Sequence, residues 1–137
     1  MESIESLQKR YPGAVTFRFG DSAEMSSWLL RLVRAGQKTA TCGALRDFAP
    51  GGEPKPVAGR RDIALNWDGT PALVIETVSV EEMRFDEVGE EFALAEGENE
   101  TFEGWQRDHR AYFDRHGGWS PDMMLICERF RVIEDLA

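Results

Sequence analysis

At 137 residues the chain has the length of a single domain, large enough to bury roughly two-thirds of its unfolded surface without disulfide or metal staples. A formal charge of -9 speaks against a protein that grips an extended nucleic acid, because that task needs a basic footprint. No apolar run approaches the roughly 18 residues of a membrane span, and Met1-Glu2-Ser3-Ile4-Glu5 is acidic where a signal peptide is basic and then apolar, so the expected location is the cytoplasm. Cys42 and Cys127 lack any C-x-x-C or other ligand spacing and read as reduced, packing cysteines.

Ile4, Leu7 and Tyr11 recur at i, i+3 and i+7, one face of a short helix over residues 2–11 that Pro12-Gly13 stops. Residues 14–19 alternate, with Val15, Phe17 and Phe19 on one side and Thr16 and Arg18 on the other, as a half-buried strand does. Asp21 reads as the N-cap of a second helix, with Glu24 as its capping-box partner. Met25, Trp28, Leu29, Leu32 and Val33 form that helix's apolar face, and Gly36 ends it. Thr41 to Leu45 reads as a short strand, so Gly36-Gln37-Lys38-Thr39-Ala40-Thr41 is a helix-to-strand joint. It is not a phosphate-binding P-loop: that motif runs strand, glycine loop, helix, and here Gln37 and Leu32 stand where its glycines belong.

Pro50-Gly51-Gly52-Glu53-Pro54-Lys55-Pro56 cannot hold regular structure and reads as a surface loop beside the joint. The runs 61–67 and 72–80 read as strands of a hairpin turning at Asp68-Gly69. Leu73, Val74, Ile75 and Val78 are apolar on both faces, which suits a strand covered on each side. Residues 85–94 read as a short helix broken by Glu96-Gly97-Glu98-Asn99. Thr101 or Asn99 then caps a longer helix, with Phe102, Trp105, His109, Tyr112, Phe113 and His116 on one face and Gly117-Gly118 at its end. Residues 123–133 form the last strand, in which Glu128 alternates into the apolar face; Arg131, Arg18 or Lys38 is its candidate partner. The element order predicts a single α+β domain, a small mixed sheet curled into a barrel with helices outside. Periodicity alone does not separate that barrel from an open sheet.

Ten acids lie between Glu81 and Glu103, against Arg84 alone, whereas Arg31, Arg34, Lys38 and Arg46 gather near the joint and Lys55, Arg60 and Arg61 follow it. A small neutral ligand such as a nucleoside suits this charge better than an extended polyanion. Lys38 and Thr41 are the first candidates for chemistry. A threonine hydroxyl needs a base, and a lysine serves as one when burial or cations such as Arg34 and Arg46 lower its pKa. Residues i and i+3 of a strand face opposite ways, so the pair requires a bend at Thr39-Ala40. The plainer alternative makes Lys38 a solvated helix-end cation and Glu96 and Glu98 a solvated acidic loop. His109 reads as a core histidine between Trp105 and Phe113, and His116 as a helix-end cation. Trp67 and Trp119 are open to stacking on a base. Sequence spacing predicts no metal site.

Gly36-x-Lys38-x-x-Thr41 after a first helix resembles the ASCH-domain family, whose barrel is related to the PUA RNA-binding domain. Gly20-Asp21-Ser22, Phe92-Ala93-Leu94-Ala95-Glu96-Gly97-Glu98 and Cys127-Glu128-Arg129-Phe130 are similar to its longer bacterial branch, so the resemblance covers most of the chain. It implies a PUA-like small mixed β-barrel with flanking α-helices over residues 1–137. Some family members are cofactor-free amidohydrolases that remove the acetyl group of N4-acetylcytidine with the motif's lysine and last threonine and a downstream glutamate. Carried over, these are Lys38, Thr41 and Glu98, with Glu96 the rival placement. The implied reaction has Lys38 take the Thr41 proton, Thr41 attack the acetyl carbonyl, and the glutamate protonate the leaving amine. Arg34, Thr39, Arg46, Trp67, Glu96 and Glu128 are the residues expected on the substrate side. Other members are associated with RNA binding or ribonuclease activity, for which His109 and His116 are the proton-transfer candidates. The extra N-terminal helix and strand, the Pro-Gly loop and the long Trp-rich helix depart from the compact amidohydrolases. The expected partner is a small nucleoside or a short single-stranded RNA, with no DNA, membrane, metal or cofactor.

Overall fold

A computed structural model describes residues 1–48 and 50–137. The chain forms α1 (Ile4–Arg10), β1 (Thr16–Phe17), α2 (Ala23–Arg34), β2 (Ala40–Ala44), β3 (Arg61–Leu65), β4 (Pro71–Arg84), α3 (Glu90–Ala95), α4 (Phe102–Arg115) and β5 (Met124–Asp135), with 3-10 turns at Leu45–Phe48 and Phe85–Glu87.

The sheet has five strands in the order β1-β3-β4-β5-β2. Only β1 and β3 run parallel; β3-β4, β4-β5 and β5-β2 are antiparallel. The long β4-β5 ladder carries register shifts at Val74/Ile75 and Thr77/Ser79, and such bulges increase local twist and bend the strand. The sheet is therefore curled, and among the described residues β1 and β2 are its two edges, each paired on one side only, so the barrel is open. Alternation would extend β1 to Phe19, but only Thr16 and Phe17 find partners, on Ile63 and Ala64, before the chain turns at Gly20 (φ +79°) into α2.

Ser22 rather than Asp21 caps α2: its hydroxyl accepts from Met25 N at 3.2 Å, a contact of about 1 kcal/mol. Asp21 instead accepts from His116 Nε2 at 2.9 Å and Arg115 at 3.2 Å, tying the start of α2 to the end of α4. Thr101 caps α4 through Gly104 N. The stretch 85–94 is not one helix; Val88 and Gly89 are extended and divide a 3-10 turn from α3.

Three apolar clusters flank the curled sheet. Leu29, Leu30 and Val33 of α2 pack on Leu73, Ile75 and Phe130. Leu7 of α1 packs on Ile63, Leu65 and Val74. Phe92, Trp105 and Phe113 of α3 and α4 cover Ala40, Ala44, Leu125 and Cys127. The last cluster fixes which way β2 faces: Ala40, Cys42 and Ala44 turn toward α4, and Thr41 and Gly43 turn to the other side.

Candidate active site

Gly36 (φ +74°) turns the chain out of α2, and the amides of Gln37 and Lys38 both donate to Leu32 O, at 2.9 and 3.1 Å. Thr39 anchors the next step, its N donating to Ala95 O at 2.9 Å and its O accepting from Phe130 N at 3.1 Å. Lys38 is held between these fixed points, before the strand begins, and its side chain folds back into the protein. The turn 96–98 closes over it. Gly97 (φ +74°) sits so close that a Cβ would collide with Gln37 O and lie 2.9 Å from Lys38 Cα. Only glycine tolerates both that φ and that approach.

Lys38 is 2% exposed and Glu96 is 1% exposed, so neither is the solvated surface group that composition suggests. Lys38 Nζ donates to Ala40 O (2.8 Å), Glu98 Oε2 (2.7 Å), and Glu96 O and Oε1 (3.3 Å each). Glu96 Oε2 accepts from Trp105 Nε1 at 2.8 Å and lies 3.4 Å from His109 Nε2. Both glutamates thus converge on one ammonium. Burial disfavours the ammonium, but Glu96 and then Glu98 outweigh it and hold the Lys38 pKa above its ordinary value. Burial likewise pushes Glu96 up, and Lys38 followed by His109 hold it well below the usual carboxylate range. His109 is raised by Glu96 against the opposing effect of burial. The resting pair is a buried ammonium between two carboxylates. Arg34 and Arg46 do not neighbour it: Arg34 pairs with Asp135, and Arg46 donates to the His116 and Gly118 carbonyls.

A cavity of about 810 Å³ opens onto Lys38, Thr41, Cys42, Glu96, Glu98 and His109. It is lined by both sheet edges, residues 15–19 around β1 and 41–44 of β2, so it fills the seam that an open barrel leaves. Phe17, Phe19, Trp28, Phe48 and Tyr112 give it aromatic walls, and Glu53, Pro54 and Pro56 bring the Pro-Gly loop to its rim. Thr41 shares this cavity with Lys38, and its hydroxyl makes no hydrogen bond among the described residues. Glu128 stands directly across from Thr41 in the β2-β5 pair. Its carboxylate accepts from Thr77 Oγ1 at 2.7 Å rather than pairing with Arg131, Arg18 or Lys38, and burial raises its pKa.

The remaining expected substrate residues lie elsewhere. Arg34 and Trp67 border a second, smaller depression with Ala23, Ser27 and Asn66. Thr39 and Arg46 are committed to backbone carbonyls outside the cavity wall. Trp119 packs edge-on against Phe85 beneath the Arg110 guanidinium. Two residues read from sequence as packing groups, His109 and Cys42, also line the cavity. His109 does stack on Trp105, with 4.4 Å between ring centroids, but its polar edge reaches Glu96. Cys42 lies opposite Cys127 on the α4 side of β2. The i, i+4 spacing of Trp105 and His109 carries the core reading, and the contact with Glu96 is the long-range addition that spacing does not encode.

No helix among the described residues is long and apolar enough to cross a membrane. No curated protein matches the chain. Solved structures do, these two among them. The ASCH domain from Lactobacillus crispatus superposes with a TM-score of 0.81 at 30% identity, covering 96% of this chain and 86% of that one. A protein from Enterococcus faecalis superposes with a TM-score of 0.80 at 34% identity, covering 94% of this chain and 84% of that one. The family model of the ASCH domain matches residues 15–134, and the chain belongs to the ASCH-domain family, with its PUA-like α+β fold.

Proposed function

We propose that the protein is an amidohydrolase that removes the acyl group from an N-acylated nucleoside, with N4-acetylcytidine the first substrate to test. The observation that carries this reading is the contact of 2.7 Å between buried Lys38 and half-buried Glu98 at the wall of a cavity of about 810 Å³. Small-molecule sites span about 300–1,000 Å³, and the aromatic walls suit a nucleobase.

The ion pair supplies both a base and an acid by one proton transfer. Against burial, the two carboxylates hold the resting Lys38 as an ammonium, so this transfer is an uphill step that the reaction must drive. Moving a proton from Lys38 Nζ to Glu98 Oε2 leaves a neutral amine and a protonated carboxyl. The amine takes the Thr41 proton as Thr41 Oγ1 bonds to the acyl carbon, forming a tetrahedral oxyanion. Collapse breaks the C–N bond, and Glu98 gives its proton to the departing amine. Lys38 is again an ammonium and Glu98 a carboxylate, with the acyl group on Thr41 as an ester that water hydrolyses. Glu96 stays ionised throughout, anchoring Lys38 while Trp105 and His109 anchor it.

Binding of RNA through phosphates is less well supported. Four arginines near the joint are already engaged, Arg34 with Asp135, Arg60 with Asp62 at 2.8 Å, Arg61 with Glu76 at 3.0 Å and Arg46 with carbonyls, while Arg31 reaches only the Ser27 hydroxyl. The test is chromatographic detection of cytidine released from N4-acetylcytidine by the wild type beside Thr41→Val and Glu98→Gln. Turnover lost in both variants supports the reading. Absence of turnover in the wild type, or turnover unchanged in Thr41→Val, overturns it.

A further inference from the structure

We infer that Cys42, Glu96 and His109 form a binding site for a zinc-like divalent cation on the α4 side of the cavity. The three residues come from β2, the 96–98 turn and α4, and their ligand atoms all lie within 4.8 Å of one another. His109 Nε2 and Glu96 Oε2 are 3.4 Å apart. Ligands about 2.0–2.3 Å from a tetrahedral zinc ion stand about 3.3–3.8 Å from each other, so modest closure of Cys42 onto the other two completes three corners. All three residues line the cavity, which leaves the fourth corner facing the space where a ligand or water enters. A thiolate, an imidazole and a carboxylate with an open position suit zinc or cobalt and are poor for magnesium or calcium.

The surroundings are those of a metal-ligating set. His109 Nδ1 lies 2.9 Å from Trp105 O; when Nδ1 carries the proton, it donates there and Nε2 presents its lone pair to the metal, the usual arrangement that fixes a ligating imidazole. Glu96 is oriented by Trp105 Nε1 on one oxygen and Lys38 on the other. The metal would approach the Oε2 side, away from the ammonium at Oε1. On binding, the Cys42 thiol releases its proton to solvent as the sulfur–metal bond forms. With the charges of Lys38, Glu96, Glu98 and the Cys42 thiolate, a divalent ion brings the cluster to neutrality. Glu96 is shared with the Lys38 cluster, so occupancy of this site is read from metal binding itself and not from turnover.

The test titrates the metal-stripped full chain with Co²⁺ and Zn²⁺, using chelator competition for affinity. One equivalent of Co²⁺ should bind with a thiolate-to-cobalt charge-transfer band in the near ultraviolet, and one equivalent of Zn²⁺ should displace it. Cys42→Ser, a near-isosteric change, should abolish the band and weaken Zn²⁺ binding by about tenfold or more, the scale of losses seen even for residues behind the ligands. Cys127→Ser should leave both unchanged. No stoichiometric Zn²⁺ binding by the wild type, or binding and band undiminished in Cys42→Ser, would overturn the site. His109→Gln provides a second variant: retained affinity there would equally remove the imidazole from it.

Discussion

Lys38 Nζ and Glu98 Oε2 lie 2.7 Å apart, although 60 residues separate them in the chain. The contact exists because Gly36 turns Lys38 inward and Gly97 lets the acidic turn close over it. Removing either partner should have different consequences. Lys38→Met leaves the buried Glu96 carboxylate without its ammonium, with only Trp105 and His109 beside it, a loss of about 3–5 kcal/mol. Glu98→Gln keeps a hydrogen-bond acceptor for Lys38 and leaves Glu96 to balance the charge, so it should fold with a smaller loss yet have no amidase activity. Urea denaturation of both variants, read beside turnover, checks this ordering.

Gly97 and Gly36 share φ +74°, but a Cβ at Gly36 would meet nothing within 4 Å whereas one at Gly97 would strike the Gln37 carbonyl. Alanine at either position costs about 1 kcal/mol for the left-handed backbone. Gly97→Ala should cost distinctly more and should also impair activity, since the turn must lift away from Lys38. Equal denaturation midpoints for the two variants would show that the close packing carries no energy.

Trp105 donates its indole N–H to Glu96 Oε2 at 2.8 Å while stacking between Phe85 and His109. Trp105→Phe keeps an aromatic ring but removes the donor to a buried charge. Hydrogen bonds to charged groups contribute about 1.5–3 kcal/mol, and chemical denaturation at neutral pH should show a destabilisation of that size.

Glu128 predicts a pH effect. Burial raises its pKa above the ordinary 4.5, so the folded state holds this proton more tightly than the unfolded chain. The associated stability is fully present below about pH 4.5 and is lost as pH rises through the folded-state value. Glu128→Gln, which still accepts from Thr77, should therefore be at least as stable as wild type at pH 7, and the difference in its favour should vanish in acid. Melting curves across that range check the sign.

Much of this was legible in the sequence, and the omissions have physical causes. The amphipathic faces of α2 and α4 mark those helices by periodicity alone, and Asp68-Gly69 marks the hairpin. Adjacent cap-type residues are harder: Ser22 took the role expected of Asp21 because Asp21 is claimed by His116 and Arg115, a long-range contact. Glu96 and Glu98 compete for one role on paper, yet the turn at Gly97 brings both to Lys38. Arg34 and Trp67 follow α2 and the hairpin to another depression, a matter of helix rotation that spacing does not encode. Register is likewise silent in sequence, which hid both the Thr41–Glu128 and the Cys42–Cys127 pairs. Strand 71–84 runs longer than its apolar portion because its polar end, Glu81 to Arg84, pairs with Cys127 to Met124.

The most direct measurement is cytidine release from N4-acetylcytidine by the purified protein, compared with Thr41→Val and Glu98→Gln at matched concentration and verified folding. The account predicts turnover by the wild type and none above background in either variant. Wild-type protein without turnover, or a Thr41→Val variant as active as wild type, would contradict it.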